Sequence, residues 1–249
     1  MYAEVNHCKV YYERAGAGAP LLLLHGWGAS SQTFRPLLLR LAEKRTVVAL
    51  DFPGFGLSPV PPSAWGTEEY AEMVKSFLQK IGLGPVDVMA HSFGARVAIL
   101  LAKKYPDAVK SLVLTGAAGV RIKRSVPLYK RVVSKIGRVA GYFGPPGGWI
   151  KQKLYAKIAS ADYLNAGKMR PILVKVVNED LTGVLPFVSQ PTLLAWGADD
   201  RETTLEAGRI MNAGIKNSSM KVIEGAGHYP FLDKPDQFYA AIKEFLGME

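Results

Sequence analysis

One serine lies in a sequence context that is suited to nucleophilic catalysis. Ser92 is the centre of the segment Ala90-His91-Ser92-Phe93-Gly94, which has small residues at its first and last positions. Small residues allow a strand to turn sharply into a helix, so that the serine Oγ is exposed at the apex of a strained turn. The N-terminus of the following helix favours negative charge at that point. The segment therefore predicts a serine nucleophile at position 92.

A serine nucleophile needs a general base, and the chain has four histidines. His228 follows the last predicted strand, in the Gly-Ala-Gly-His loop at 225–228. It is the only histidine C-terminal to Ser92, and a loop in that place can reach the turn that carries the serine. We expect His7 to lie in an N-terminal hairpin and His91 to pack away from the apex of the turn. His228 is therefore the predicted base.

An acidic residue must orient that histidine, and it is expected between the serine and the histidine in sequence, at the end of a strand. The predicted strand at 193–196 is followed by Gly-Ala-Asp-Asp, so that both Asp199 and Asp200 are candidates. Glu179 and Asp180, which precede the final block of strands, are the remaining alternatives.

The oxyanion of an acyl-transfer intermediate needs two backbone N–H donors. The N–H of Phe93, the residue after the nucleophile, is one candidate. The other lies in the His-Gly-Trp-Gly segment at 25–28, directly after a predicted buried strand. Because its glycines let the backbone approach a carbonyl group closely, we expect the N–H of Trp27 to be the second donor.

The elements that must position these residues alternate between short apolar runs and amphipathic helical segments. This alternation predicts an α/β fold with a doubly wound, mostly parallel sheet. The apolar run at 20–24 is typical of a strand buried on both faces, and residues 1–12 predict an antiparallel pair. The clearest helix is predicted over 67–81, with Thr67 as its N-cap. Further strands are predicted at 46–50, 86–90, 109–115, 192–196 and 221–223, and further helices at 31–43, 93–105, 203–213 and 235–245.

The alternation breaks over residues 119–185, where the pattern is helical. We expect residues 1–118 and 186–249 to form one core domain, and residues 119–185 to form a helical cap inserted after the sixth strand. Such a cap would cover the carboxyl edge of the sheet, where sheets of this kind bind ligands. Aromatic residues of the cap would then line the pocket or fill the core of the cap itself. The candidate pocket residues are Trp27, Phe93, Tyr129, Tyr142, Phe143, Trp149, Tyr155 and Tyr229.

The net charge of +10 is concentrated in one segment. Residues 120–175 contain thirteen Lys or Arg residues and one acidic residue, whereas the rest of the chain has 18 basic and 20 acidic residues. Such a segment attracts acidic proteins, anionic surfaces or anionic substrates. Three interpretations of the basic segment stay open: it is a solvated face of the cap, it attracts an anionic substrate, or it docks an acidic partner. We expect no binding to nucleic acid.

Composition excludes several other classes of protein. The 249 residues are 49% hydrophobic and 21% charged, unlike disordered or collagen-like chains. A single cysteine, Cys8, excludes an intrachain disulfide and a cysteine-based metal cluster. No signal peptide and no apolar run of the ~18 residues needed to span a bilayer are evident, so we expect a cytoplasmic protein. Since no metal-ligand or phosphate-binding motif is found, no cofactor and no metal are expected.

Together, these motifs resemble the α/β-hydrolase superfamily, specifically its capped branch of esterases and carbon–carbon bond hydrolases. The Ser92 turn is accompanied by His-Gly-Trp-Gly at 25–28, Asp-Phe-Pro-Gly-Phe-Gly-Leu-Ser at 51–58, Trp-Gly-Ala-Asp-Asp at 196–200 and Gly-His at 227–228. The Trp-Gly-x-x-Asp spacing of the family favours Asp200 over Asp199. Epoxide hydrolases and haloalkane dehalogenases carry aspartate in place of Ser92, which disfavours both activities here.

The resemblance implies a serine hydrolase that cleaves carboxylic esters of small to medium acyl chain through Ser92, His228, Asp200 and an acyl-enzyme intermediate. Two other activities stay open. One is hydrolysis of a methyl ester on a carrier-bound acyl chain, as in similar enzymes of biotin synthesis, with the basic segment docking the acidic carrier protein. The other is carbon–carbon bond hydrolysis. The non-enzymatic alternative is an idle hydrolase fold whose basic cap binds a partner.

Overall fold

The structure, a computed structural model, describes residues 1–122 and 161–248 of the chain. In this part of the chain, eight strands form one sheet. They are β1 (Tyr2–Val5), β2 (Cys8–Ala15), β3 (Pro20–Leu24), β4 (Thr46–Leu50), β5 (Val86–His91), β6 (Val109–Thr115), β7 (Thr192–Gly197) and β8 (Ser218–Ile223). The spatial order is β1-β2-β4-β3-β5-β6-β7-β8. The pairs β1–β2 and β2–β4 are antiparallel, and every other neighbouring pair is parallel.

Helices cover both faces of this sheet. The α-helices of the described residues are α1 (Arg35–Ala42), α2 (Thr67–Lys80), α3 (Phe93–Lys104), α4 (Ala161–Asn165), α5 (Arg170–Asn178), α6 (Leu205–Gly214), α7 (Pro230–Asp233) and α8 (Pro235–Phe245). One hydrophobic cluster holds α1 and α8 against one face, and a second holds α2, α3 and α6 against the other. The predicted doubly wound, mostly parallel α/β fold is therefore confirmed.

The central strands are apolar throughout because both of their faces are covered. In β3, Leu21 and Leu23 belong to one cluster, whereas Leu22 and Leu24 belong to the other. Successive side chains of a strand point to opposite faces, so that a strand between two helical layers has no polar side. Burying each leucine side chain contributes roughly 1.5–3 kcal/mol, which fixes the position of the segment that follows β3.

Two helix starts differ from the sequence prediction. The helix predicted over 31–43 begins with a 3-10 turn, and α1 starts only at 35, with Pro36 in its first turn. Thr67 is the first residue of α2 and not its N-cap, which is Gly66. The N–H of Gly66 donates to the Glu69 carboxylate (2.7 Å). A side chain within the helix, and not that of Thr67, therefore bonds the backbone at the N-terminus of α2.

The segment between β6 and β7 is helical where the structure describes regular elements in it. These elements are α4, α5 and 3-10 turns at Gly167–Met169 and Thr182–Phe187. The predicted pocket residues Tyr129, Tyr142, Phe143, Trp149 and Tyr155 lie outside the described residues, as do nine of the thirteen basic residues. The bounds of the cap stay a prediction. None of the described helices is both long and apolar enough to cross a membrane.

Candidate active site

Ser92 lies between β5 and α3 in a strained backbone conformation, with φ +48° and ψ −108°. A positive φ is uncommon for a residue with a Cβ and persists only where its surroundings enforce it. Here the N–H of Ser92 donates to the Thr115 carbonyl (3.1 Å), and the Ser92 carbonyl accepts from the N–H of Ala118 (3.2 Å). Backbone groups at the end of β6 thus hold the sharp strand-to-helix turn that the small residues around the serine predict.

Gly94 allows the start of α3 to pack against the end of β3. A Cβ at Gly94 would lie 2.3 Å from the carbonyl oxygen of Leu24 and 2.7 Å from that of His25. This close approach brings the start of α3, with Phe93, next to the segment after β3 that carries Trp27. The rings of Trp27 and Phe93 are in edge-to-face contact, with centroids 5.6 Å apart.

His25 fixes the backbone that carries Trp27. Its buried ring accepts the N–H of Phe52 at Nε2 (3.0 Å) and donates from Nδ1 to the Gly26 carbonyl (2.7 Å). Burial lowers the pKa of His25 to about 4, so that the ring is neutral at physiological pH. A neutral imidazole has one donor and one acceptor nitrogen, which matches this pair of contacts.

His228 and Asp200 meet in the loops that follow β8 and β7. The Nδ1 atom of His228 lies 2.9 Å from Oδ2 of Asp200, and both side chains are almost fully buried. Burial by itself raises the pKa of the Asp200 carboxyl, but hydrogen bonds from His228 and Thr203 outweigh it, and the pKa is lowered. An ionised carboxylate at Nδ1 fixes the orientation of the ring and leaves Nε2 as the accepting nitrogen.

Three further hydrogen bonds hold the Asp200 carboxylate. Its Oδ1 accepts the N–H groups of Glu202 (2.9 Å) and Thr203 (3.0 Å), and its Oδ2 accepts from the Thr203 hydroxyl (2.8 Å). The indole N–H of Trp196 donates to the Thr203 carbonyl (2.8 Å). The sequence motifs described above do not single out Thr203. Oε2 of Glu202 lies 3.5 Å from Nε2 of His228.

His91 supports the backbone of His228. Its ring is buried against the rings of His228 and Tyr229, with centroid distances of 4.7 Å and 4.5 Å, and its Nε2 donates to the His228 carbonyl (3.0 Å). Burial, with a contribution from nearby His228, lowers the pKa of His91 to about 3, so that the ring is neutral. Gly116 approaches the same carbonyl, because a Cβ there would lie 2.9 Å from the oxygen. The position of His228 is therefore fixed by its backbone as well as by Asp200.

The other three candidate acids have different surroundings. Asp199 is exposed, and its backbone N–H donates to the Ala226 carbonyl (2.9 Å). Glu179 accepts the N–H of Thr67 (3.1 Å), and Asp180 accepts from the hydroxyl of Thr182 (2.6 Å). Of the four carboxylates that the sequence offers, the structure brings Asp200 alone within hydrogen-bond distance of His228.

Ser92 and His228 line one cavity of about 260 Å³. Its other walls are the apolar residues Trp27, Phe93 and Ala118 and the apolar side chains of α5. The polar lining residues are Arg96, Asp162, Glu202 and Thr203. A second cavity of about 300 Å³ shares Trp27 and Asp162 with the first and extends along Phe55 and Met169. Among the described residues, no group of three or more His, Cys, Asp or Glu side chains is arranged to hold a metal ion.

Comparisons with known proteins agree with this architecture. A family model described as "Alpha/beta hydrolase family" matches residues 21–241. A pimeloyl-[acyl-carrier protein] methyl ester esterase of Neisseria meningitidis is 28% identical over 90% of this chain and 92% of its own length. A 2-hydroxy-6-oxo-2,4-heptadienoate hydrolase of Pseudomonas putida is 26% identical over 94% of this chain and 91% of its own length. The crystal structure of a membrane phospholipase A matches with TM-score 0.79 and 27% identity, over 99% of this chain and 85% of that one.

Proposed function

The chain belongs to the α/β hydrolase family, and we propose that it is a serine esterase that cleaves carboxylic esters of small to medium acyl chain. One observation carries this proposal. The hydrogen bond between His228 and the buried Asp200 lies beside a cavity that is also lined by Ser92, whose backbone is held in a strained turn. Esterases among the relatives support the same reaction class.

In this mechanism Ser92 Oγ attacks the ester carbonyl while His228 Nε2 takes the hydroxyl proton. The tetrahedral intermediate collapses, His228 returns the proton to the departing alcohol, and an acyl ester of Ser92 remains. Water, deprotonated by His228, then hydrolyses this acyl-enzyme. Asp200 holds the histidine in the required tautomer and stabilises the imidazolium that forms.

The backbone N–H groups of Trp27 and Phe93 are the proposed oxyanion donors. Within the described part of the chain, neither N–H donates a hydrogen bond. Phe93 is the first residue of α3, where N–H groups have no partner inside the helix. His25 holds the loop of Trp27 in place through its two backbone contacts, and so preorganises the second donor.

Replacing the nucleophile tests the proposal directly. Ser92→Ala should lower kcat for aryl esters by about 10⁴-fold or more, because no other group supplies the attacking oxygen. An organophosphonate probe should add its mass to Ser92 in the wild-type protein and leave the variant unmodified. Ser63→Ala, which changes an exposed serine, is the matched control and should keep wild-type activity. Ester turnover that persists in Ser92→Ala would show that another group carries the reaction.

A carrier-linked methyl ester is the second candidate substrate. The Neisseria relative is named for that activity, and the thirteen basic residues of 120–175 would attract an acidic carrier. A carbon–carbon bond hydrolase is the third, on the strength of the Pseudomonas relative. Three substrates separate these activities: a free methyl ester, the same ester on a carrier protein, and a vinylogous 1,5-diketone acid. Each of the three activities predicts the highest rate on a different one of them.

A further inference from the structure

Arg96 is a buried cation beside the candidate nucleophile. It lies one helical turn after Ser92 on α3, and its exposed fraction is only 9%. Nη1 donates to the backbone carbonyl of Glu179 (3.1 Å), and no carboxylate of the described residues lies within 4 Å of the guanidinium. A guanidinium has five N–H donors and stays charged in proteins. The carboxylates of Glu179 and Asp180 act on this buried charge only from beyond contact distance, so one neutral carbonyl is its direct partner among the described residues.

The guanidinium faces space that a ligand can occupy. Arg96 lines the cavity of Ser92 and His228, and also an adjoining cavity of about 210 Å³. The two cavities share Arg96, Ala118, Glu202 and Thr203. Among the described residues, no nitrogen of Arg96 is both fully buried and without a hydrogen-bond partner, and the side chain forms part of the lining of both cavities.

The adjoining cavity is lined by the polar residues Arg96, Glu202, Thr203 and Thr204 and by small or apolar residues. The small or apolar residues include Ala117, Gly119, Val120, Ile122 and Ala207. Asp162 lines the first cavity and Glu202 lines both, and both acidic residues are exposed, in contrast to Arg96. A substrate that enters from the Ser92 side would therefore meet a mixed polar and apolar surface on which Arg96 is the buried cation.

We propose that Arg96 binds a carboxylate of the substrate, so that the preferred esters carry a second, anionic end a few carbons away from the scissile carbonyl. A carboxylate matches the planar fork of a guanidinium with two parallel hydrogen bonds, and it supplies the countercharge that the described protein groups do not place in contact. This inference rests on the proposed esterase function and adds the class of substrate.

Paired substrates test the inference in the wild-type protein. Monomethyl succinate, glutarate and adipate are compared with methyl esters of the monocarboxylic acids of equal chain length. A second pair, 4-acetoxybutyrate and butyl acetate, places the carboxylate on the alcohol side. One of the two charged series should exceed its neutral partner in kcat/KM by about 10- to 100-fold, the range of hydrogen bonds to a charged group. Equal or lower rates on both charged series would overturn the inference.

Two variants assign the preference to Arg96. Arg96→Met, which keeps an unbranched side chain without the charge, should remove the preference by lowering kcat/KM for the charged esters at least about tenfold more than for the neutral esters. Arg96→Lys should restore part of it, because an ammonium keeps the charge and loses the fork. Arg121→Met is the matched control: Arg121 is an exposed neighbour that pairs with Asn178 and lines neither cavity, and its loss should preserve the preference.

The outcomes separate the inference from the proposed function. If no ester of either kind is hydrolysed, the esterase proposal itself fails. If neutral esters are hydrolysed and Arg96→Met lowers kcat/KM equally for charged and neutral esters, Arg96 has a structural role through its hydrogen bond to the Glu179 carbonyl. The inference is then wrong. Should Arg96→Met fail to fold, the substrate preference of the wild-type protein and of Arg96→Lys still decides the question.

Discussion

Two buried arginines at opposite ends of the sheet differ in how fully they are paired. Arg45, at the amino ends of the central strands, and Arg96, at the carboxyl ends, are 5% and 9% exposed. Arg96 donates to one carbonyl. Arg45 forms an ion pair with Asp87, which also accepts from the Ser111 hydroxyl (2.6 Å). In addition, Arg45 donates to the backbone carbonyls of Ala19, Pro20 and Leu246.

This difference separates groups that hold the fold from groups that remain available to a ligand. At the amino end, the buried Arg45 charge has an ion pair with Asp87 on β5 and accepting carbonyls at the start of β3. At the carboxyl end, Ser92 is strained, Arg96 has spare donors, and the Nδ1 atom of buried His91 has no hydrogen-bond partner in the described part of the chain. Strained backbone destabilises a protein and occurs preferentially where binding or chemistry needs it.

The largest expected effect comes from the carboxyl end. Asp200→Asn should lower kcat by about 10⁴-fold, because the amide no longer favours the tautomer of His228 that accepts the Ser92 proton. The thermal midpoint should change little by comparison, since an isosteric side chain keeps most of the turn. Asp199→Asn, one residue earlier and exposed, is the matched control and should stay within about threefold of wild type. The reverse ranking would assign the acid to Asp199.

The pH dependence of stability sharpens this result. The pKa of Asp200 is lower in the folded protein than its ordinary value, so the folded state binds this proton less tightly than the unfolded state. The stabilisation that ionised Asp200 gives the folded state is therefore present above the pKa of about 3.9 that this carboxyl has in the unfolded chain. It is lost as pH falls through the lower pKa of Asp200 in the folded protein. Denaturant midpoints of wild type and Asp200→Asn at several pH values should converge as pH falls through this window. A constant difference would contradict the assigned ionisation.

The amino end should show the opposite pattern, a loss of stability with the chemistry intact. Asp87→Asn leaves the Arg45 charge buried without its ion pair, which should lower the free energy of unfolding by about 3–5 kcal/mol. The kcat of the molecules that remain folded should match wild type. Arg40→Met is the control, because Arg40 and Asp236 form an exposed pair, with 43% and 89% of their side chains accessible, that contributes at most about 1 kcal/mol. Chemical denaturation and kcat per folded molecule measure the two effects separately.

Local sequence patterns predicted the fold and part of the site because they reflect local physics. The apolar run of β3 has no polar side since both faces are covered, and small residues around Ser92 are what a sharp turn requires. The pairing of Asp200 with His228 followed from the spacing of a motif. Thr67 was predicted wrongly as a cap because Glu69 satisfies the Gly66 N–H instead.

Arg96 and Thr203 could not be found in this way. An arginine on an amphipathic helix is normally a solvated side chain, and the burial of Arg96 depends on α5 and on Glu179, which lies 83 residues away in sequence. Thr203 becomes important because the Trp196 indole holds its carbonyl under Asp200. Arg96 depends on a contact between distant segments, and Thr203 depends on how the loop after β7 folds around Asp200; a single sequence encodes neither as a pattern.

The smallest expected effect concerns the Lys and Arg residues of segment 120–175. We expect most of them to face solvent, because burying an unpaired ammonium costs several kcal/mol. If an acidic carrier or an anionic surface is the partner, replacing Lys130, Arg131, Lys135 and Arg138 by glutamate should raise KM for a carrier-linked ester by about three- to tenfold, because each exposed pair contributes below about 1 kcal/mol. The effect should shrink as salt rises, since charges are screened within ~8–10 Å at physiological ionic strength. Small neutral esters should respond little. An equal response of both substrates, or none, would identify the segment as a solvated face, and would leave the buried Arg96 as the cation that selects the substrate.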